Sequence, residues 1–576
     1  MHRSKQCLAS RDETCPIHGL VTSMLRDLRA KYPLSQRMLK PVYSSLRTIF
    51  KGCLYGTELN QAIELVTQYE SALLHWSGSG CEISLCGLNF SPDAMPGLVR
   101  DLRQCYRLFW KSTGISPHRS VKSASLARLS TSKPHQLTSD DLTAMRNHCA
   151  RLLGKCPDSI IDLPGRHGPG AVAESYTGID KWKLEDFFFQ TSAIGGFKLL
   201  FFNENHVLRS KKQLIFHSHP ITRYVEVPKD IRKNRVISCE PCSMQYLQQS
   251  VLPLLMERLH TNSRGVIEFR SQERHTQHLH RGLYNCATID LSDASDMVSR
   301  RLMWNILPHD WRVLLFALRS RFISDGLTTV PIRSFAPMGS ALCFPIEALL
   351  HYLVVDRFSE KRNAYLSIYG DDIIISRHNF KYVMSGLKKS GLIPNDSKSC
   401  SAGFFRETCG TDLLLLGGDG CTSFDVTVSY FRGNLMRLGV NDIPGCQVVA
   451  RALHNTGMYS TRDAWMTILY DRLLHRVPHK FITYREGSQY HWPPTTVHTY
   501  RSASTRWNRR FQVEEVLTPM VSIKTLQVAP VDYEGMLATL RTDGMRAEVS
   551  YSPSRANARL KCRWLATSCL NMRQHQ

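Results

Sequence analysis

The segment Tyr365-Leu366-Ser367-Ile368-Tyr369-Gly370-Asp371-Asp372-Ile373-Ile374-Ile375 constrains this chain more than any other. Two β-prone runs flank a Gly-Asp pair, which predicts a tight hairpin. Two adjacent carboxylates at a hairpin tip, framed by apolar strands, are costly unless something cationic neutralises them. Neighbouring side chains of a strand point to opposite faces, so Asp371 and Asp372 can serve one site only where the turn breaks that alternation. An ordinary acidic turn reads the same way in isolation, and the rest of the chain has to supply the partners.

A second acidic cluster lies upstream, in Ala287-Thr288-Ile289-Asp290-Leu291-Ser292-Asp293-Ala294-Ser295-Asp296. A short apolar strand is expected to run into Asp290. Helical spacing resumes at Val298, Leu302 and Ile306, which puts Asp296 near a helix start. Carboxylates from the ends of two neighbouring strands, about 4.8 Å apart, can share two divalent ions about 3.5–4 Å apart, the geometry of nucleotidyl transfer. Asp293 and Asp296 also read as plain helix-start acids, favoured there by the macrodipole.

Two further elements fit such chemistry. Val227-Pro228-Lys229-Asp230-Ile231-Arg232-Lys233-Asn234-Arg235-Val236-Ile237 gathers four cations ahead of a strand-like run, able to offset charge on a leaving pyrophosphate. By itself it reads equally as a solvated face. Pro337-Met338-Gly339-Ser340 precedes helix-spaced Ile346, Leu349, Leu350 and Leu353, a glycine loop at a helix N-terminus that suits close approach of a nucleotide or template backbone.

Composition narrows the partners. The chain has 576 residues, 43% of them apolar and 21% charged, a globular balance that excludes a disordered polymer or a fibre. Its 73 Lys+Arg against 49 Asp+Glu leave a net charge of +24, expected to meet polyanions. The longest apolar stretch, Ala341–Val355, is interrupted by Glu347 and His351, so no spanning helix and no membrane partner is expected. The N-terminus lacks the apolar run of a secretory signal. The 18 cysteines are scattered, which favours free thiols in a reducing compartment. Cys239-x2-Cys242 and Cys15-x2-His18 have metal-ligand spacing without a second pair.

Local signals place the remaining segments. Residues 111–137 carry seven serines, five Lys/Arg and no acid, which predicts a solvated basic loop. Thr138 and Asp141 form a capping-box pattern ahead of Leu142, Met145 and Leu152. Gly165–Gly170 reads as a loop, and no Gly-Lys-Ser/Thr follows to make it a P-loop. Ser243–Leu259 has helical spacing interrupted by Pro253. Residues 549–576 hold no acid and five Lys/Arg, the composition of a mobile tail able to touch RNA.

In this order, the basic segment, Asp290-Leu291-Ser292 with Ala294-Ser295-Asp296, Met338-Gly339 and Tyr369-Gly370-Asp371-Asp372 resemble a template-directed viral RNA polymerase. More narrowly, the chain resembles the replicase catalytic (beta) subunit of the single-stranded RNA bacteriophages. That match rests on Val227-Pro228-Lys229 with Arg235 and Glu240-Pro241, on Ser324-Asp325-Gly326, and on Phe405-Arg406-Glu407-Thr408-Cys409-Gly410. These blocks span Val227–Gly410, roughly a third of the chain.

The resemblance implies an α+β right-hand fold, with a palm of antiparallel sheet plus helices, fingers and a thumb. The N-terminal region and fingers would occupy 1–220, the palm with interleaved fingers segments 221–420, and the thumb and basic tail 421–576. Asp290, Asp371 and Asp372 would hold two Mg²⁺, with Mn²⁺ as a substitute. Lys229, Arg232 and Arg235 would meet the incoming triphosphate, and Lys398 is a candidate proton donor to pyrophosphate. Asp296, Gly339 and Ser340 would line the nucleotide site, while Tyr369 would pack beneath the hairpin. Template and product RNA, ribonucleoside triphosphates, host elongation factors Tu and Ts and a ribosomal protein are the implied partners, in the cytoplasm of an infected bacterium.

The chain departs from the family in two places. Where the glycine loop usually continues with Asn-Gly and an aromatic-Thr-Phe run, it has Ser340-Ala341-Leu342-Cys343-Phe344 and then Pro345, with Glu347 retained. Ser340 and Asp296 are then what is left to read a ribose 2′-hydroxyl. Asp293 stands where the family usually has a small residue. A reverse transcriptase shares the palm logic and lacks the narrower blocks. An inactive RNA-binding scaffold would gain nothing from three clustered carboxylates.

Overall fold

A computed structural model gives the fold. It describes residues 16–158 and 219–472 apart from breaks at 75, 77–81, 93–94, 113–121, 132–133, 233, 417–421, 440–441 and 470–471. It also describes 163, 167–168, 170–175, 181, 186–188 and 215–217, together with 505–523 and 558–566. The class is α+β, as expected. Short antiparallel sheets alternate in sequence with helices that cover them.

The central sheet has three strands in the spatial order Ser367–Tyr369, Asp372–Ser376, Cys286–Ile289, all antiparallel. The hairpin pairs Tyr369 with Asp372, leaving Gly370 and Asp371 as a two-residue turn. Ile373 pairs with Ile289, so the strand that carries Asp372 is registered against the one that runs into Asp290. Ile368, Ile373 and Ile375 are fully buried under a helical layer. That layer comprises Ser139–Leu153, Cys242–Asn262, Cys343–Phe358 and Phe380–Lys389. Helix Cys343–Phe358 is buried from Pro345 to Leu350 and again at Leu353–Val355, which explains its nearly unbroken apolar sequence.

Two other sheets flank this centre. One has the order Asn234–Cys239, Ile221–Pro228, Phe322–Ser324, Thr329–Pro331, and its first two strands form a hairpin that displays the basic segment. The other, Phe405–Thr408, Thr411–Leu416 and Thr422–Asp425, belongs to a second apolar core. That core joins the N-terminal helices Pro16–Lys31, Gln36–Tyr55, Leu59–Leu74 and Pro96–Arg107 to helices Ile443–Asn455 and Tyr459–Leu469. The N-terminal helices and the helices between Ile443 and Leu469 therefore share one interior. Buried ion pairs cross it: Arg103 Nη2 lies 3.0 Å from Asp412 Oδ2, and Arg107 Nη2 2.7 Å from Glu70 Oε1.

Several local expectations hold. Thr138 caps helix Ser139–Leu153 in a complete capping box with Asp141, and Pro253 sits inside helix Cys242–Asn262. Two do not. The serine-rich basic stretch contains the helix Lys122–Ser130, because Leu126 and Leu129 bury one helical face against Ile323 and Ile332. The basic C-terminal stretch contains the strand Ala558–Ala566, paired along its whole length with Val513–Ile523. The alternation of Arg559, Lys561 and Arg563 with Leu560, Cys562 and Trp564 is the period-two signal that charge composition obscures. The rest of that tail, half of Gly165–Gly170 and Cys15 lie outside the described residues. The twelve described cysteines are free thiols. Among the described residues no helix is long and apolar enough to cross a membrane.

Candidate active site

The turn that presents the acids is built around Gly370. Its φ of +64° is left-handed, and a Cβ there would lie 2.1 Å from Cε2 of Phe344, so both backbone and space demand glycine. Helix Cys343–Phe358 pins the turn from below: His351 Nδ1–H donates to the Gly370 carbonyl at 2.8 Å. Burial pushes the His351 imidazole down to about 4, so it is neutral at neutral pH. Tyr369 packs against Phe344, with ring centroids 5.1 Å apart, under the hairpin as expected.

The structure brings Asp290, Asp371 and Asp372 to one end of the central sheet. Asp371 is exposed at the tip and Asp290 and Asp372 are half-buried. Burial, then the charges of Asp371 and Asp290, push the Asp372 carboxyl up to about 6, partly offset by the Cys409 thiol. That thiol donates to Asp372 Oδ2 at 3.2 Å. Cys409 reaches it from another hairpin, Phe405–Thr408 with Thr411–Leu416, where it occupies a two-residue turn at φ +48°. Asp290 is held by Asn395, whose Nδ2 donates to Oδ2 at 3.0 Å and whose backbone N–H donates to the Asp290 carbonyl at 2.9 Å.

Two more acids face this group. Glu347, buried on helix Cys343–Phe358, has its carboxyl held well above the usual range by burial and then by the charges of Asp371, Asp296 and Asp372. Asp296 is buried beside it in the short helix Ala294–Met297. Arg128 engages it from the unexpected helix Lys122–Ser130, with Nε 3.0 Å from Asp296 Oδ2 and Nη1 3.2 Å from Asp293 Oδ2. Asp293 itself adopts φ +50°, a conformation that aspartate tolerates better than most residues. It acts locally as a turn residue whose carbonyl accepts from the Asp296 N–H at 3.0 Å.

The glycine loop lies against the basic hairpin. Gly339 has φ +117°, and a Cβ there would lie 2.1 Å from the Ser238 carbonyl oxygen, so only glycine allows this approach. Ser340 Oγ donates to Gln248 Oε1 at 3.2 Å. Lys229 and Arg235 are exposed on the hairpin. Arg232 is placed by Asp230, Nη2 to Oδ2 2.9 Å, and by stacking over the Trp110 ring at 4.5 Å. Lys398 sits half-buried in a turn. Burial pulls its ammonium down, but Glu407, Asp290 and Glu70 together outweigh that, and its pKa is raised. Arg232 also acts on it, so the basic segment and Asp290 meet in one electrostatic neighbourhood.

The donor set fits a hard divalent cation. It is rich in carboxylate oxygens, and the carboxyls of Asp372 and Glu347 are raised by one another's neighbours, a repulsion that a cation would relieve. Burial, and then the neighbouring carboxylates, push the thiols of Cys343 and Cys409 up. Among the described residues no three His, Cys, Asp or Glu side chains already form a group that could hold a metal ion.

Arg128, Asn395, Glu347, His351 and Cys409 were not among the residues expected at the site. Two carried a readable signal. Glu347 is an acid in an otherwise apolar helix, and Cys409-Gly410 sits between two runs with hairpin spacing. Arg128 was hidden by the serine-rich composition around it.

Comparison with known proteins gives the family. Residues 197–511 match the family described as RNA replicase, beta-chain. The chain belongs to that family. It is 34% identical over 189 residues to the RNA-directed RNA polymerase beta chain of Escherichia phage MS2, covering 32% of this chain and 34% of that one. It is 32% identical over 186 residues to the corresponding chain of Enterobacteria phage fr, covering 32% and 34%. With the RNA-directed RNA polymerase subunit beta of Escherichia virus Qbeta it shares 30% identity over 231 residues, covering 38% and 36%. The chain thus spans about a third of the length of the curated relatives it matches. Among solved structures, the RNA-dependent RNA polymerase of a human picobirnavirus superposes over 67% of this chain and 81% of that one, at a TM-score of 0.37 and 12% identity.

Proposed function

We propose that this chain is the catalytic subunit of an RNA-directed RNA polymerase that replicates a single-stranded RNA phage genome. The observation that carries this is the register of the central sheet. It sets Asp290 beside the Gly370-Asp371 turn and Asp372, and leaves a set of mutually repelling carboxylates in a chain with net charge +24. On this reading the central sheet and its helices are the palm, the basic hairpin belongs to the fingers and the helices after Gly410 to the thumb.

Asp290, Asp371 and Asp372 would hold two Mg²⁺, or Mn²⁺ in their place. Bound there, such ions would lower the pKa of the nascent strand's 3′-hydroxyl and offset charge on the triphosphate. Lys229, Arg232 and Arg235 bind the β- and γ-phosphates, and Asp230 with Trp110 holds the Arg232 guanidinium in one orientation before substrate arrives. Asp296 and Ser340 lie on the nucleotide side of the glycine loop and meet the ribose. Arg128 fixes the Asp296 carboxylate for that contact. Lys398 keeps its proton to high pH, the state in which a donor to pyrophosphate must start. Base identity is read by Watson–Crick pairing, so the protein needs a pocket of the right shape and backbone contacts. Host elongation factors Tu and Ts and a ribosomal protein are the partners expected from the family, in the bacterial cytoplasm.

The test is ribonucleotide incorporation on single-stranded RNA with Mg²⁺, comparing the parent chain with Asp371→Asn and Asp290→Asn. Each variant is expected to lose incorporation by at least about a thousandfold while still binding RNA. Equal product from parent and variants would reject the reading.

A further inference from the structure

Outside the acidic site, one groove stands out by charge. It has a volume of about 950 Å³ and runs between helices Pro16–Lys31 and Gln36–Tyr55, which are joined by a tight connection at Tyr32–Ser35. Arg26 and Arg29 line it from the first helix, Arg37 and Lys40 from the second, each pair at i,i+3 spacing and so on one face. All four are exposed, and none makes an ion pair with a described residue. Thr22, Gln36, the half-buried ring of Tyr43 and an apolar floor of Leu25, Ala30 and Leu39 complete the wall.

The absence of acids from this lining has a structural origin. Asp27, the sole acid in the first helix, is turned inward and caps helix Tyr459–Leu469. Its carboxylate accepts from the backbone N–H groups of Ser460 and Thr461 at 2.9 and 2.7 Å. Lys31 likewise is taken up by Asp101. The second helix contains no acid. Ordinary solvated faces intersperse both signs of charge. This one presents four uncompensated cations and an aromatic ring around a concave space.

We infer that this groove is a second RNA-binding site, one that holds single-stranded RNA by its phosphodiester backbone away from the catalytic aspartates. Guanidinium forks suit phosphate oxygens, and an aromatic wall gives one base a surface to stack on without reading its identity. The volume lies within the range of about 300–1,000 Å³ typical of ligand clefts, enough for a short stretch of strand. A site of this kind keeps template or product tethered while the acidic site turns over. The inference builds on the polymerase reading but is measured by binding alone.

The experiment is equilibrium binding of a short oligouridylate to the full chain across a salt series. The parent is compared with the combined variant Arg26→Glu, Arg29→Glu, Arg37→Glu and Lys40→Glu. The whole set is also placed in the Asp371→Asn background. The combined variant is expected to bind at least about tenfold more weakly near physiological salt. Its slope of log affinity against log salt should fall by about 2 to 3, as four phosphate contacts of about 0.7 counterions each require. The four corresponding Gln substitutions remove the same contacts, should lower the slope by as much with a smaller loss of affinity, and decide the matter if the Glu variant fails to fold. Tyr43→Leu should weaken binding with no change of slope, because stacking releases no counterions. Unchanged affinity and slope in the charge variants would overturn the proposal. So would unchanged RNA binding with loss of an acidic protein partner from host lysate. A parent that shows this binding pattern but makes no RNA even when supplemented with host lysate would undo the polymerase reading alone.

Discussion

At the scale of single residues, the site is an arrangement of charges held at short range by groups that take no part in chemistry. Arg128 is the clearest case. Its guanidinium bridges Asp296 and Asp293, and on the proposed reading it would hold the first as a ribose acceptor. Arg128→Ala should therefore cut the preference for ribo- over deoxyribonucleotides by about tenfold, the worth of one buried charged hydrogen bond. The ratio of kcat/KM for the two substrates on one template measures it. Gly370→Ala makes a second residue-scale test. The alanine would carry an unfavourable left-handed φ and collide with Phe344, so the turn must rebuild. Incorporation should fall to background while the denaturation midpoint drops by a few degrees, the signature of about 1–3 kcal/mol of strain.

Elements act by register and by what lies underneath them. The two-residue turn and the pairing of Ile373 with Ile289 put carboxylates from sequence-distant strands at one sheet end. A slip of one residue would turn Asp372 and the buried isoleucines to opposite faces. Helix Cys343–Phe358 supports that register through His351, neutral and hydrogen-bonded to the turn. The sign of its pH dependence follows from its depressed pKa. The unfolded chain takes up a proton below about 6.5, whereas the folded one does so only near 4, so this contribution is present at neutral pH and lost on acidification. Relative to His351→Asn, the parent should lose about 2 kcal/mol of stability between pH 6.5 and 5. Urea midpoints of both proteins at the two pH values would show it, and parallel changes would remove His351 from the account.

The whole molecule is organised by the core that joins its N-terminal helices to the elements after Phe405. Arg103 and Asp412 meet there with almost no solvent exposure, and Arg107 ties Glu70 to the same group. Burial and then the neighbouring Asp412 raise the Glu407 carboxyl to about 7, against the pull of Lys398 and Arg107. Lys398 in turn faces Asp290, so this interior charge group continues to the edge of the acidic site. Removing one partner leaves the other charged and dry. Arg103→Met should cost about 3–5 kcal/mol, read as a shift in urea midpoint, and incorporation should fall with it. Double replacement of Arg103 and Asp412 by apolar residues should recover much of the loss, which a simple cavity would not.

Much of the acidic site was legible in the order of residues, because the signals involved are local. A Gly-Asp turn between β-prone runs, an apolar strand ending in Asp290 and a glycine ahead of an apolar helix each depend on near neighbours, and each stands where the pattern puts it. The tertiary structure alone decided what meets what. Arg128 comes from a segment whose composition reads as a loop, and it becomes helix because Leu126 and Leu129 find Ile323 and Ile332 to pack against. Lys398 carries no local signal of its surroundings, and only folding sets it, half-buried, within reach of the charges of Glu407 and Asp290. The groove lined by Arg26, Arg29, Arg37 and Lys40 is cationic because Asp27 is drawn inward to cap a helix more than 400 positions away. Burial and long-range charge depend on distances through space, and only the folded chain sets those.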